Sequence, residues 1–352
     1  MRTARTSRSP VRWFAAATAV VALLAPTAAA HAQTAETPSS VLTDHAKTIR
    51  LPGPAGSDAG GPWDIAVTGN AVWALAPRAG TVFRIDPKTN RVAARVKLPA
   101  LGCIPAACNG SDHVVATTRD VWVQNNDAGS LVHINARRNK VTGSVAFTPG
   151  LYQPPLPDAT GVWLSPDASV GDVVHVAAKT NEVDKTVHVG VAPVWPAGIV
   201  DGMLWVGGAV FHQGSPPDET LYQVDPETAT VVGTVPGASG GGAVLGDDLW
   251  LNRICCPLVS RVDGATGAPE QDLRVDGFSN FLTAGGGFVW VRMIDQNGAK
   301  EWINQVNPAD GSITRYDLPV PNLDGGLGFG HGSLWVADWD ANAVHRMAVP
   351  VR

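Results

Sequence analysis

Along most of the chain apolar and polar residues alternate with a period of two, in short runs separated by turn residues. In the clearest stretch, Ile65-Ala66-Val67 passes through Thr68-Gly69-Asn70 into Ala71-Val72-Trp73-Ala74-Leu75, which reads as strand, tight turn, strand. A third run, Thr81 to Ile85, precedes the turn Asp86 to Asn90 and a fourth run, Arg91 to Leu98. The apolar-Trp-apolar segment returns at Trp122, Trp163, Trp205, Trp250, Trp290 and Trp335, with spacings of 49, 41, 42, 45, 40 and 45 residues from Trp73 onward. Such a period marks one supersecondary unit copied in tandem. Seven copies of a four-stranded antiparallel sheet predict an all-β, seven-bladed propeller. Each tryptophan then wedges between neighbouring blades and hides roughly 150–250 Å².

The turn between third and fourth strands is the most regular chemical signal: Asp86 to Asn90, Asn135 to Asn139, Asp225 to Ala229, Asp263 to Gly267 and Asn307 to Gly311. Asp or Asn at its start can accept a backbone N–H two residues on, and Asn or Gly at its end tolerates positive φ. These are turn residues rather than ligands. Ala177 to Asn181 keeps the end without the start, and Ala229 breaks the rule at the end. The last unit lacks a fourth strand, whereas Thr48-Ile49-Arg50-Leu51-Pro52 is similar to the fourth-strand endings Val96 to Pro99 and Tyr316 to Pro319. That segment is expected to complete the last blade and close the ring.

The repeat, best seen from Gly61 to Leu98, resembles the secreted β-propellers with YVTN-type and streptogramin (virginiamycin B) lyase-type repeats, over roughly Thr48 to the end. The resemblance implies the propeller fold, and for the lyases a metal-assisted site of histidines and glutamates near the channel. Their glutamate commonly stands two or three residues after the blade tryptophan. Here those places hold Leu75-Ala76, Gln124-Asn125, Ser165-Pro166, Gly207-Gly208, Asn252-Arg253, Arg292-Met293 and Ala337-Asp338, so no catalytic residue carries over.

Residues 1–32 have the form of an export leader: arginines at 2, 5, 8 and 12, an apolar run from Trp13 to Leu24, and Ala30-His31-Ala32 as a cleavage pattern. The expectation is a secreted chain cleaved after about Ala32, with a small, polar lead-in over 33–47 and the propeller over 48–352. No later apolar run reaches the ~18 residues of a membrane span. The whole chain has 26 basic and 31 acidic residues, a formal charge of −5; losing four leader arginines and no acid takes it to −9. That balance argues against a nucleic-acid partner.

The first-to-second and third-to-fourth turns are short and uniform, so irregularity collects on the opposite face. There lie the connections Ala100 to Ser111, Pro166 to Asp172, Gly207 to Thr220, Asn252 to Leu258 and Arg292 to Trp302. Variable loops on a rigid frame commonly carry binding. All four cysteines, Cys103, Cys108, Cys255 and Cys256, fall on that face. In an exported chain they suggest disulfides, Cys103 to Cys108 with either a vicinal Cys255-Cys256 bond or none, and the simplest role is loop stapling.

Positions ten and nine residues before each tryptophan are expected to line the channel mouth: Trp63-Asp64, Asp112-His113, Gln153-Pro154, Trp195-Pro196, Gly240-Gly241, Asn280-Phe281 and Gly325-Gly326. Gln124, Asn125, Asn126, Asn252, Arg253, Arg292 and Asp338 leave the second strand toward the same mouth. Acids, an imidazole, guanidiniums and aromatic rings thus converge as a candidate small-molecule site. Each has a structural alternative: Asp64 and Asp112 as caps of backbone amides, His113 as a hydrogen-bonded framework histidine, Arg253 and Arg292 as solvated charges or partners of those acids. As catalytic candidates His113 would pair with Asp112 or Asp64. No G-x-S-x-G elbow or Ser-His-Asp set is present.

Two functions follow. One is an extracellular, monomeric propeller binding a small molecule, protein or peptide through its long-loop face. The other is a lyase- or lactonase-like metal enzyme at the channel mouth. The residues fix no cofactor, and magnesium or calcium in the central channel is the candidate.

Overall fold

The computed structural model describes residues 46–53, 60–99, 112–126, 128–148, 153–253, 256–295, 297, 300–318 and 325–349. The leader, most of the lead-in, and Cys103, Cys108 and Cys255 lie outside the described residues. Within them are seven four-stranded antiparallel sheets and no helix. Blade 1 runs Asp64–Thr68, Ala71–Ala76, Thr81–Asp86 and Arg91–Lys97; blade 2 runs His113–Ala116, Asp120–Asn125, Ser130–Asn135 and Lys140–Ala146. Blade 3 has a two-residue first strand, Leu156–Pro157, then Gly161–Leu164, Asp172–Ala177 and Glu182–His188. Blade 4 comprises Val194–Val200, Met203–His212, Ser215–Asp225 and Thr230–Pro236; blade 5, Gly240–Leu245, Asp248–Arg253, Leu258–Asp263 and Pro269–Arg274. Blade 6 comprises Phe278–Gly285, Phe288–Ile294, Glu301–Val306 and Ile313–Asp317.

Blade 7 has three consecutive strands, Leu327–Gly330, Ser333–Asp338 and Ala343–Ala348, and takes its fourth from Ala46–Arg50, antiparallel with Thr48 opposite His345. The first strands touch one another in order around the ring, blade 7 meeting blade 1. The closing strand begins two residues earlier than the sequence suggests. It ends at Arg50, because Leu51 turns its side chain into the core and Pro52 has no N–H for a ladder. Leu51 N–H instead donates to Asn342 O at 2.8 Å. A second difference lies in blade 4, where 207–220 is no loop: second and third strands continue as a ribbon, pairing Ala209 with Glu219 and His212 with Ser215.

The seven blade tryptophans are all fully buried, at 0 or 1% exposure. Trp73 and Leu75 pack with Val114, Val121 and Val123 of blade 2, while Val72, Ala74 and Ala76 pack with Trp335 and Ala337 of blade 7. Each sheet therefore has two apolar faces, and neighbours supply the cover for both.

Opposite each tryptophan on the third strand stands a polar or cationic residue: Arg84, His133, His175, Gln223, Arg261, Gln305 and Arg346, in blade order. The His133 ring stacks on Trp122 with centroids 4.0 Å apart, and the Arg346 guanidinium lies 4.9 Å over Trp335. Four of these residues also reach the third-to-fourth turn of the next blade. His133 contacts Asn181 Oδ1 (2.6 Å), Gln223 donates to Ala265 O (2.9 Å), Arg261 to Pro308 O (3.3 Å), and Arg346 to Pro87 O (2.6 Å) and Asn90 Oδ1 (3.0 Å). The Arg346 contacts cross the seam from blade 7 to blade 1. Replacing Arg346 by Met should remove the stack and both seam bonds, lowering stability by about 1–3 kcal/mol in a denaturant melt.

The turns follow the expected chemistry: Asp86 and Asp225 accept the N–H two residues on, at 2.8 and 2.9 Å. Their last residues are left-handed, with φ of 55° at Asn90, 53° at Asn139 and 58° at Asn181. Ala229 adopts the same conformation at φ 54°, with a Cβ that disfavours it. Ala229→Gly should therefore stabilise the protein by about 0.5–1 kcal/mol, the relieved strain exceeding the added chain entropy.

His175 carries a charge cluster that no local motif marks. Its Nδ1 lies 2.6 Å from Asp184 and its Nε2 3.3 Å from Asp158, which also accepts from Trp163 Nε1 (2.9 Å) and the Gly161 N–H (2.7 Å). Burial opposes the charge on His175, yet its bonds to Asp158 and Asp184 outweigh it and raise its pKa. Burial likewise opposes ionisation of Asp158, and bonds from His175, Thr160 and Gly161 still hold its carboxyl below the usual range. The imidazolium's contribution is full below the unfolded histidine value near 6.5 and is lost as pH rises through the raised folded value. His175→Asn should cost about 1.5–3 kcal/mol near pH 5.5. Melts across pH should show that difference shrinking at alkaline pH.

Candidate functional site

The mouth of the ring, on the long-loop face, is built by the starts of the first strands and the ends of the second. Asp64 opens the first strand of blade 1, and His113 holds the same place in blade 2. The structure brings these two together, with Asp64 Oδ2 3.2 Å from His113 Nδ1 and accepting the Val114 N–H at 3.0 Å. Asp64 Oδ1 accepts the Ile65 N–H at 2.8 Å. Both side chains are buried. Asp64 thus ties blade 1 to blade 2, and bonding through Nδ1 directs the Nε2 of His113 away from the carboxylate.

Asp112 is not part of that pair. Its carboxylate accepts from Asn125 Nδ2 (3.1 Å) and the Asn126 N–H (2.9 Å), which fixes the end of blade 2's second strand. Gln124 Nε2 donates to Asn126 Oδ1 at 3.0 Å and to Gln153 O of blade 3 at 3.1 Å. Asn252 Nδ2 bridges blade 5 to blade 6 at Ser279 O, 3.0 Å away. Asp338 contacts His345 Nε2 at 2.7 Å, and His345 Nδ1 lies 3.1 Å from Thr48 Oγ1 of the closing strand. Trp195 is buried rather than open to the channel, and Asn280 forms the register break in blade 6's first strand.

The two guanidiniums are neither solvated charges nor partners of Asp64 and Asp112. Arg253 meets Glu219 of blade 4 through Nε (2.8 Å) and Nη2, and donates to Ser260 Oγ at 3.2 Å. Arg292 donates through Nε (3.2 Å) and Nη2 (2.5 Å) to Glu301 on the adjacent strand, and both side chains are nearly inaccessible. Glu219 and Glu301 escaped the sequence reading because they lie in segments that look like loops. Both stand four residues before the residue that faces the blade tryptophan, a spacing that could have marked them as equivalent.

Two aromatic residues are partly open at the mouth, along with Gln153, Asn252 and Arg253. Trp63 and Phe281 are half-buried, with ring centroids 6.5 Å apart, and Trp63 meets Trp339 edge-on at 5.8 Å. The Arg78 guanidinium lies 5.0 Å over Trp339. Two glycines allow this crowding: a Cβ on Gly326 would fall 2.0 Å from Asp64 Oδ1, and one on Gly240 1.9 Å from Asn252 O. Among the described residues no group of three or more His, Cys, Asp or Glu side chains converges to hold a metal ion. No helix there is long and apolar enough to cross a membrane.

Neither protein-family models nor curated protein sequences match the chain. Solved structures do. A hydrazine synthase chain from Kuenenia stuttgartiensis superposes with a TM-score of 0.65 at 11% identity, covering 86% of this chain and 99% of that one. BamB from Moraxella catarrhalis gives 0.52 at 15% identity, covering 86% and 96%. A chain of a mitotic checkpoint complex gives 0.62 at 11% identity, covering 95% and 99%. At these identities the likeness is one of fold, and the chain is a seven-bladed β-propeller.

Proposed function

We propose that this propeller is exported, cleaved near Ala32, and binds a ligand or a partner protein through the long-loop face around its channel. One observation carries the reading. The acids, imidazole and guanidiniums near the mouth are engaged in bonds of the frame, while Trp63 and Phe281 stay half-exposed. Aromatic rings in a concave, rigid setting bind through buried area and need no mobile charge. Exposed Val170, Val210, Phe211 and Phe278 lie on the same face and add apolar contact surface for a protein partner. A chain of a multiprotein complex has the same fold, which supports partner binding as a use of this architecture. The repeat resembles those of the YVTN and streptogramin lyase-type propellers, and loop disulfides through Cys103, Cys108, Cys255 and Cys256 would suit an exported protein.

The lyase- or lactonase-like enzyme is the second reading, and the Asp64–His113 contact favours it: a carboxylate on Nδ1 orients an imidazole as a general base through Nε2. A thermal melt of the chain from Gln33 onward, in EDTA and then in excess calcium, magnesium or zinc, separates the two. A metal at 100 times its dissociation constant would stabilise the fold by about 2.7 kcal/mol, a shift on the order of 2 °C or more. The binding reading expects no saturable shift, and a saturable one favours the metal enzyme. Sequencing the N-terminus of protein recovered from culture medium should find Gln33 or a near neighbour first; a chain kept in the cytoplasm with its leader intact contradicts export.

A further inference from the structure

Phe281 stands directly opposite Arg292 in the blade 6 ladder, so both side chains leave the same face of the sheet, and Trp63 approaches Phe281 from blade 1. Arg292 gives two of its donor nitrogens to Glu301, while its buried Nη1 makes no hydrogen bond among the described residues. Trp63 Nε1 is also buried without a partner there. Trp73, Trp122 and Trp250 share that condition, but their rings are sealed between blades, whereas the ring of Trp63 is half-exposed at the mouth. Two buried, unsatisfied N–H groups therefore belong to side chains that border one partly exposed aromatic surface.

Both are donors only, so their complement is an acceptor. The carboxylates beside these groups are already engaged, Asp64 by two backbone amides and His113, and Glu301 by Arg292 through Oε2. A planar oxyanion meets a guanidinium edge and an indole N–H in their own geometry, and the rings of Trp63 and Phe281 suit a flat apolar body. Resting on the mouth as the binding face, we propose that the part of the mouth over blade 7, between Phe281 of blade 6 and Trp63 of blade 1, takes an aromatic carboxylate, with Trp63 Nε1 and Arg292 Nη1 donating to the carboxylate and Phe281 packing against its ring.

Titration calorimetry with phenylacetate, 2-phenylethanol and 2-phenylethylamine tests this. Phenylacetate should bind in the millimolar range or tighter and at least about tenfold better than the alcohol, with the amine not bound. Trp63→Phe keeps a ring and removes the N–H. Arg292→Met with Glu301→Leu removes the ion pair together and leaves no buried charge, a replacement proteins commonly tolerate. Each should weaken phenylacetate about tenfold and leave the alcohol unchanged, with melts confirming that both variants fold. Phenylacetate binding that neither variant alters overturns the site, and no binding by any probe overturns the inference. Binding of the alcohol or amine as tightly as the acid, abolished by Trp63→Ala, overturns the acid class and leaves the mouth as the binding face.

Discussion

Everything in this fold depends on covering the second apolar face of each blade. A sheet with one apolar face can end against water, but here the residues on either side of the strand alternation are apolar, so each blade needs a neighbour on both sides. Only a closed ring provides that. The tryptophan fills the gap, and the residue opposite it on the third strand covers the indole and, in several blades, bonds to the next turn. In four of the seven blades burial and a directional bond thus act at one point of the interface. At the seam the same arrangement runs from Arg346 to Asn90, so closure there uses a bond of the kind that joins three other pairs of blades, with the strand Ala46–Arg50 added outside.

The repeat made most of the fold legible, because its signals are local. Tryptophan spacing gives the number of blades, and Asp at the start of a turn with Asn or Gly at its end gives strand order within a blade. The closing strand was visible for the same reason, as a piece of repeat displaced to the other end of the chain. Its boundary shifted by two residues because a proline and a buried leucine decide where pairing stops, and alternation alone does not register either. The polar residue facing each tryptophan stood in plain sight two positions before the turn, as in Arg84-Ile85-Asp86 or Arg261-Val262-Asp263, but alternation reads it as a solvent-facing strand position.

The mouth was legible in place and only partly in chemistry. Asp64 and His113 are 49 residues apart, the spacing of Trp73 and Trp122, so they occupy one repeat position in adjacent blades and must be neighbours. Arg253 and Arg292 were harder. Their partners come from different places, Glu219 on the preceding blade and Glu301 on the same one, and which acid lies nearer depends on how far each hairpin continues past the frame. Blade 4's ribbon is long because strand pairing continues through Asp218, Glu219 and Thr220 despite Pro216 and Pro217, which read as loop. Loop-like composition hid a strand, and with it the acid that neutralises Arg253.

Glu219 and Glu301 show how such a frame acquires chemistry. The equivalent position is Gly80, Gly129 and Gly171 in the first three blades, and in all five its carbonyl accepts the N–H at the end of the fourth strand, at 2.5 to 3.1 Å. The backbone bond is therefore indifferent to the side chain. A glycine there leaves the edge of the mouth empty, whereas a glutamate places an acid beside the second strand's end with no change of strand geometry. An arginine must then be within reach, since an unpaired buried carboxylate would destabilise the blade by several kcal/mol. Side chains can accordingly depart from the repeat at positions where the repeat's own bonds are made by the main chain. The sector from blade 6 to blade 1, where Phe281, Arg292, Glu301, Trp339 and Trp63 all depart from the side chains of neighbouring units, concentrates such departures around one open aromatic surface.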